Sequence, residues 1–84
     1  MKTITLYTTP QCRFCAQLRD YLQSRSLSFT EFNVVEEPDR LGEMKKFSGG
    51  GLTVPVVVIN KGMSDQSIFI GFQPDTLEKA VFSL

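Results

Sequence analysis

The chain has 84 residues, enough for one compact domain with a single modest core, because surface still dominates volume at this length. Nine lysines and arginines balance nine aspartates and glutamates, so no basic footprint marks it for nucleic acid or an anionic membrane face. No stretch approaches the roughly 20 apolar residues of a membrane span, and the first residues lack the apolar run of a signal peptide, which makes a cytosolic location the expectation.

Thr3 to Tyr7, rich in β-branched and aromatic residues, reads as a first strand that ends at Thr8-Thr9-Pro10. Beyond the two cysteines, Phe14, Leu18, Tyr21 and Leu22 recur at i, i+4, i+7 and i+8, which predicts a helix to about Arg25. That pattern puts the four on the buried face, with Arg13, Gln17, Asp20 and Gln23 toward water. The segment 28–34 alternates as a second strand, but Phe29 and Phe32 are out of phase, so it is expected to be irregular or buried on both faces.

Pro38 suits a first helical position; Leu41, Met44 and Phe47 follow at intervals of three, and Gly49-Gly50-Gly51 stops this second helix. The glycines lack the lysine and following helix of a phosphate-binding loop. Val54 to Ile59 is a β-branched run typical of a strand buried on both faces. Asn60-Lys61-Gly62 breaks it, and a polar loop leads to a partner strand, Ser67 to Ile70, ended by Gly71. Pro74 and Asp75 open a last helix with an apolar stripe at Leu77, Ala80, Val81 and Leu84. The order β-α-β-α-β-β-α predicts a single α/β domain over residues 1–84, with a parallel pair or trio of strands and a terminal antiparallel hairpin.

Cys12 and Cys15 close a loop too short to staple a fold, and reducing compartments disfavour permanent bridges, so the pair reads as redox-active or metal-binding. A cysteine at a helix N-terminus meets unpartnered N–H groups and the positive end of the helix dipole, which favour its thiolate. Cys12 is the candidate nucleophile and Cys15 the resolving thiol; Arg13 adds positive charge beside Cys12. A zinc half-site is the competing reading, but a tetrahedral site wants about four ligands, and the chain has no histidine and no third cysteine. Lys45 and Lys46 read as a solvated face, and Tyr7 as a core-edge residue. From base rates alone the bond before Pro55 is trans, since only about 5–6% of such bonds are cis in folded proteins.

Over nearly its whole length the chain resembles the glutaredoxin-like members of the thioredoxin superfamily. The resemblance rests on Ile4 to Thr8 followed by the C-x-x-C pair, on Thr53-Val54-Pro55, and on Gly71-Phe72 ahead of a helix. It implies a thioredoxin-like (glutaredoxin) fold, a four-stranded mixed sheet with three helices, and thiol–disulfide oxidoreductase activity. It also implies that Pro55 is cis beside the cysteines and that the Val54 backbone pairs with substrate like an added strand. Arg13, Phe14, Thr53, Gly71 and Phe72 complete the candidate substrate contacts, Phe72 being equally readable as a core residue.

The glutathione-dependent branch usually has Cys-Pro-Tyr-Cys, a lysine three residues before the first cysteine, and Gly-Gly-x-Asp after the last strand. Here Arg13-Phe14, Thr9 and Gly71-Phe72-Gln73-Pro74-Asp75 stand instead, so two anchors for the glutathione carboxylates are missing. The Gly-Phe-x-Pro-Asp ending is similar to the NrdH-redoxins, which reduce ribonucleotide reductase and are recycled by thioredoxin reductase, although Phe69-Ile70 replace their usual serine and aromatic. The resemblance thus implies a monomeric protein-disulfide reductase with no tightly bound cofactor. Its alternatives are a glutaredoxin with glutathione as co-substrate, and an iron–sulfur or metal carrier using Cys12 across a dimer.

Overall fold

The computed structural model describes the backbone of residues 3–51 and 54–82, and side chains as far as residue 80. Its elements are β1 (Ile4–Thr8), α1 (Arg13–Ser24), β2 (Thr30–Asn33), α2 (Pro38–Ser48), β3 (Val56–Ile59), β4 (Ser67–Ile70) and α3 (Pro74–Phe82). The strands form one sheet in the order β2-β1-β3-β4. Both central strands are buried along their whole length, as unbroken β-branched and aromatic runs require when helices cover both faces.

Alternation along β1 and β3 divides the core in two. Ile4, Leu6, Val57 and Ile59 meet Leu18 and Leu22 of α1 and Leu77 of α3. On the other face Tyr7, Val56 and Val58 meet Met44 of α2, with Leu41 and Phe47 closing the margin. This three-layer arrangement is the thioredoxin-like fold expected from the sequence.

Two expectations are corrected. The first helix buries Cys15, Leu18 and Leu22, at i, i+3 and i+7, whereas Phe14 is 57% exposed. The helix begins only at Arg13, and Cys15 takes the core-facing slot in the first turn. The second strand spans Thr30–Asn33 and is a partly exposed edge strand, not one buried on both faces.

Of the parallel pair or trio expected, the structure has the pair: β1 and β2 are parallel, and β3 runs antiparallel to β1, with Tyr7 opposite Val56. A helix of 11 residues travels about 16 Å, a distance that the seven residues 49–55 have the contour length to cover, and β3 begins at the end of the sheet that α2 left. Gly49, left-handed at φ 74°, makes the reversal at the helix end, where its N–H donates to the Lys45 carbonyl. The hairpin from β3 to β4 is antiparallel as expected. In it the buried Asn60 side chain accepts from the Thr3 N–H (3.1 Å) and donates to Asp65 (3.0 Å). In the last helix Leu77 is buried; the Val81 and Leu84 side chains lie outside those described.

Glu43 of α2 is a polar hub that the sequence pattern does not reveal. It accepts hydrogen bonds from the Tyr7 hydroxyl, from Lys61 Nζ and from Arg40 Nη1. Those partners hold its carboxyl at about 2, down from an ordinary 4.5; the Lys61 hydrogen bond is the largest cause and the Tyr7 hydroxyl the next. Burial, and then the Glu43 carboxylate, push the Tyr7 phenol upward. A carboxylate depressed by folding contributes stability that is complete above its unfolded value and lost as pH falls through its folded one. Stability is therefore expected to decline from about pH 4.5 toward pH 2, and Glu43→Gln to flatten that decline while costing about 1–2 kcal/mol at neutral pH. Urea midpoints measured across that range would check this; equal pH slopes in both proteins would refute it.

Candidate active site

The ends of all four strands that matter to Cys12 gather at one end of the sheet. β1 and β2 finish there at Thr8 and Asn33, β3 starts there at Val56, and β4 finishes there at Ile70. After β1 the chain turns through Thr9 to Gln11, and the Cys12 N–H donates to the Thr9 carbonyl at 3.4 Å. Cys12 is the N-cap of α1, in extended conformation (φ −90°, ψ 112°), and its Sγ accepts the Cys15 N–H at 3.0 Å. The two cysteines form a disulfide with Cα atoms 5.1 Å apart.

The two sulfurs are not equivalent. Cys15 is 1% exposed and packed beneath the helix, whereas Cys12 is only partly covered. No acidic side chain lies in the first turn of α1, so nothing there offsets the positive helix end. On reduction, the N–H that meets Cys12 Sγ becomes a charge-assisted donor to a thiolate. Arg13 and Phe14 are both exposed beside Cys12.

Across from the cysteines, Val54–Pro55 is a cis peptide bond, as the resemblance implied, and Pro55 is buried. The Pro55 carbonyl accepts the Gly71 N–H at 2.8 Å, tying the end of β4 to this loop, with Gly71 at φ 86°. Thr53 lies outside the described residues. Phe72 is half-buried and sits edge-on to Tyr21 at 5.8 Å, packed on the core between α1 and α3. That placement favours its core-closing role. Tyr7 is fully buried on the α2 face, between Phe32 and Phe47. Lys45 and Lys46 are exposed in the last turn of α2.

Two further features escape a reading by periodicity. Glu31 on β2 accepts two hydrogen bonds from Arg19 (2.8 and 2.5 Å) and one from the buried Thr8 hydroxyl (2.8 Å), joining α1, β1 and β2 below the site. Those hydrogen bonds, Arg19 first, lower the Glu31 carboxyl, outweighing burial. Asn33 accepts the N–H groups of Val35 (3.0 Å) and Glu36 (3.3 Å) on its side-chain oxygen. This fixes the loop after β2, and an asparagine closing a strand is the signal that could have found it.

That loop forms one wall of a groove of about 420 Å³ beside the cysteines. Val34, Val35, Pro38, Leu41 and Met44 line it, and Thr9 and Val54 close the end toward the redox pair. Among the described residues no three histidine, cysteine, aspartate or glutamate side chains come together as a metal site, and no helix is long and apolar enough to cross a membrane.

A C-x-x-C pair capping a helix at the end of a thioredoxin-like sheet defines a thiol–disulfide redox protein. The glutaredoxin family model matches residues 4–63, and the chain belongs to the glutaredoxin family. It is 31% identical over 78 residues to an uncharacterized glutaredoxin-like 8.6 kDa protein of the rubredoxin operon of Clostridium pasteurianum, covering 93% of this chain and 96% of that one. Among solved structures it is similar to the NrdH-redoxin of Escherichia coli, a glutaredoxin-like protein with a thioredoxin-like activity profile. The TM-score is 0.74 at 26% identity, over 92% of each chain. It also matches the fold of a glutaredoxin from Archaeoglobus fulgidus, with TM-score 0.80 at 18% identity over 99% of this chain and 89% of that one.

Proposed function

We propose that the protein is a cytoplasmic protein-disulfide reductase of NrdH-redoxin type, working as a monomer and recycled by thioredoxin reductase. The observation that carries this reading is the apolar groove with Thr9 at its inner end, where the glutathione-dependent branch keeps a lysine for a carboxylate. Arg40, at the start of α2, is already engaged by Glu43 and lies 4.0 Å over the Phe32 ring. The thioredoxin-like profile of the Escherichia coli relative supports the same assignment.

In this mechanism the Cys12 thiolate attacks one sulfur of a substrate disulfide, forming a mixed disulfide and releasing the other sulfur as a thiolate that takes up a proton. The Cys15 thiol gives up its proton and attacks Cys12 Sγ, restoring the bond seen here and releasing the second substrate thiol. Two electrons pass to the substrate, and two from the reductase regenerate the dithiol. Val54, Pro55 and Thr53 would align the substrate backbone, with Arg13, Phe14 and Gly71 around it. Ribonucleotide reductase is the substrate class that the NrdH likeness points to.

NADPH-coupled reduction of a protein disulfide tests this with two recycling systems, thioredoxin reductase alone and glutathione with glutathione reductase. Turnover with the first only is expected. Turnover with glutathione only would make glutathione the co-substrate and overturn the NrdH-type assignment. Turnover with neither, together with a coloured protein after anaerobic expression, would favour a cluster carrier through Cys12.

A further inference from the structure

The groove beside the disulfide has a chemical character of its own. Its wall carries Val35, which is 62% exposed and extends the apolar surface of Val34, Pro38, Leu41 and Met44. Pro38, Leu41 and Met44 make the floor apolar, and among the described residues no charged side chain lines it. The groove shares Thr9 and Val35 with a second hollow of about 320 Å³ that is also lined by Pro10 and Gln11, the two residues before Cys12.

The rim is acidic. Glu36 and Glu37 lie between Val35 and Pro38 in the same loop, and Asp39 follows in the first turn of α2; all three are exposed. The cations of this face lie elsewhere: Arg40 and Lys61 are held by Glu43, and Lys45 and Lys46 stand at the opposite end of α2. Among the described residues a ligand bearing carboxylates finds no cationic partner in this lining, and it meets like charge in the loop that carries Val35.

We propose that the groove selects protein disulfides whose cysteine is flanked by an apolar side chain, seated against Val35 and Leu41, and by a basic residue, lying along Glu36, Glu37 and Asp39. This deepens the reductase reading and rests on it. An apolar side chain gains by leaving water, and a lysine or arginine gains by pairing at the rim, so specificity comes from the polypeptide around the cysteine.

The test uses peptides of equal length carrying one cysteine in a mixed disulfide with a chromogenic thiol, with dithiothreitol as the recycling reductant and its direct reduction of each substrate, measured without the protein, subtracted. The flanking positions are apolar and basic, serine and basic, or apolar and acidic, and a small chromogenic disulfide without peptide runs alongside. The apolar–basic peptide is expected to exceed the serine–basic one by at least about tenfold in kcat/KM. It should exceed the apolar–acidic one by about fivefold, a margin that shrinks at high salt. Within each variant the ratio between peptides is the readout, which cancels changes in thiol reactivity. Val35→Ser should shrink the apolar preference, and Glu36→Lys combined with Glu37→Lys should invert the charge preference. Equal rates for all peptides, with the small disulfide still reduced, would overturn the groove proposal and leave the reductase reading standing. Loss of reduction for every substrate would sink both.

Discussion

Cys12→Ser is expected to abolish disulfide reduction, a fall of at least about a thousandfold to the solvent background, because no other sulfur can begin the exchange. Cys15 cannot substitute for it: it is 1% exposed, and a buried thiol neither reaches a protein disulfide nor gains the helix-end stabilisation that Cys12 receives as N-cap. Cys15→Ser should behave differently. Its Cys12 thiolate still attacks, but nothing resolves the mixed disulfide, so the substrate adduct accumulates and appears in intact-mass spectra under non-reducing conditions. Rates from the NADPH-coupled assay combined with those spectra separate the two roles. Equal, full activity in both variants would sink the assignment, and adduct trapping by Cys12→Ser instead would reverse it.

The redox pair was legible because its chemistry depends on local features: a strand, a turn with Pro10, two cysteines three apart, and a helix opening. Buried strands were legible for the same reason, since the run Val56 to Ile59 admits few other readings. What could not be read depends on which face meets which neighbour. Phe14 fits the helical stripe as well as Cys15 does, and only the sheet beneath the helix decides which of the two is covered. The direction of β3 is likewise a property of how far the segment 49–55 carries the chain, not of its pattern. Glu43 looks like one more charge on a surface helix; its meaning arises when Tyr7, 36 residues earlier, and Lys61, 18 residues later, fold onto it. The groove combines Thr9, the loop after β2, α2 and Val54, four separate stretches of chain that no window reveals together.

Phe14 and Leu18 give this distinction an energetic form. In the stripe read from sequence the two are equivalent, four residues apart on one apolar face, and truncating either should cost the same. In the structure Leu18 is fully buried, packed with Ile4, Leu6, Leu22, Val57, Ile59 and Leu77, while Phe14 is 57% exposed at the helix start. Leu18→Ala removes apolar contacts and leaves a cavity that a close-packed core refills only in part, at a cost of about 2–5 kcal/mol. Against a total of about 5–15 kcal/mol for a domain, that is a large share, and the melting temperature should fall by more than about 10 °C. Phe14→Ala should change stability by less than about 0.5 kcal/mol, because its ring already meets water and its loss opens no cavity. Urea denaturation of the oxidised proteins, compared at equal m-values, measures both. Similar midpoints for the two variants would return Phe14 to the core, whereas a large gap leaves its ring free beside Cys12, where a substrate can cover it.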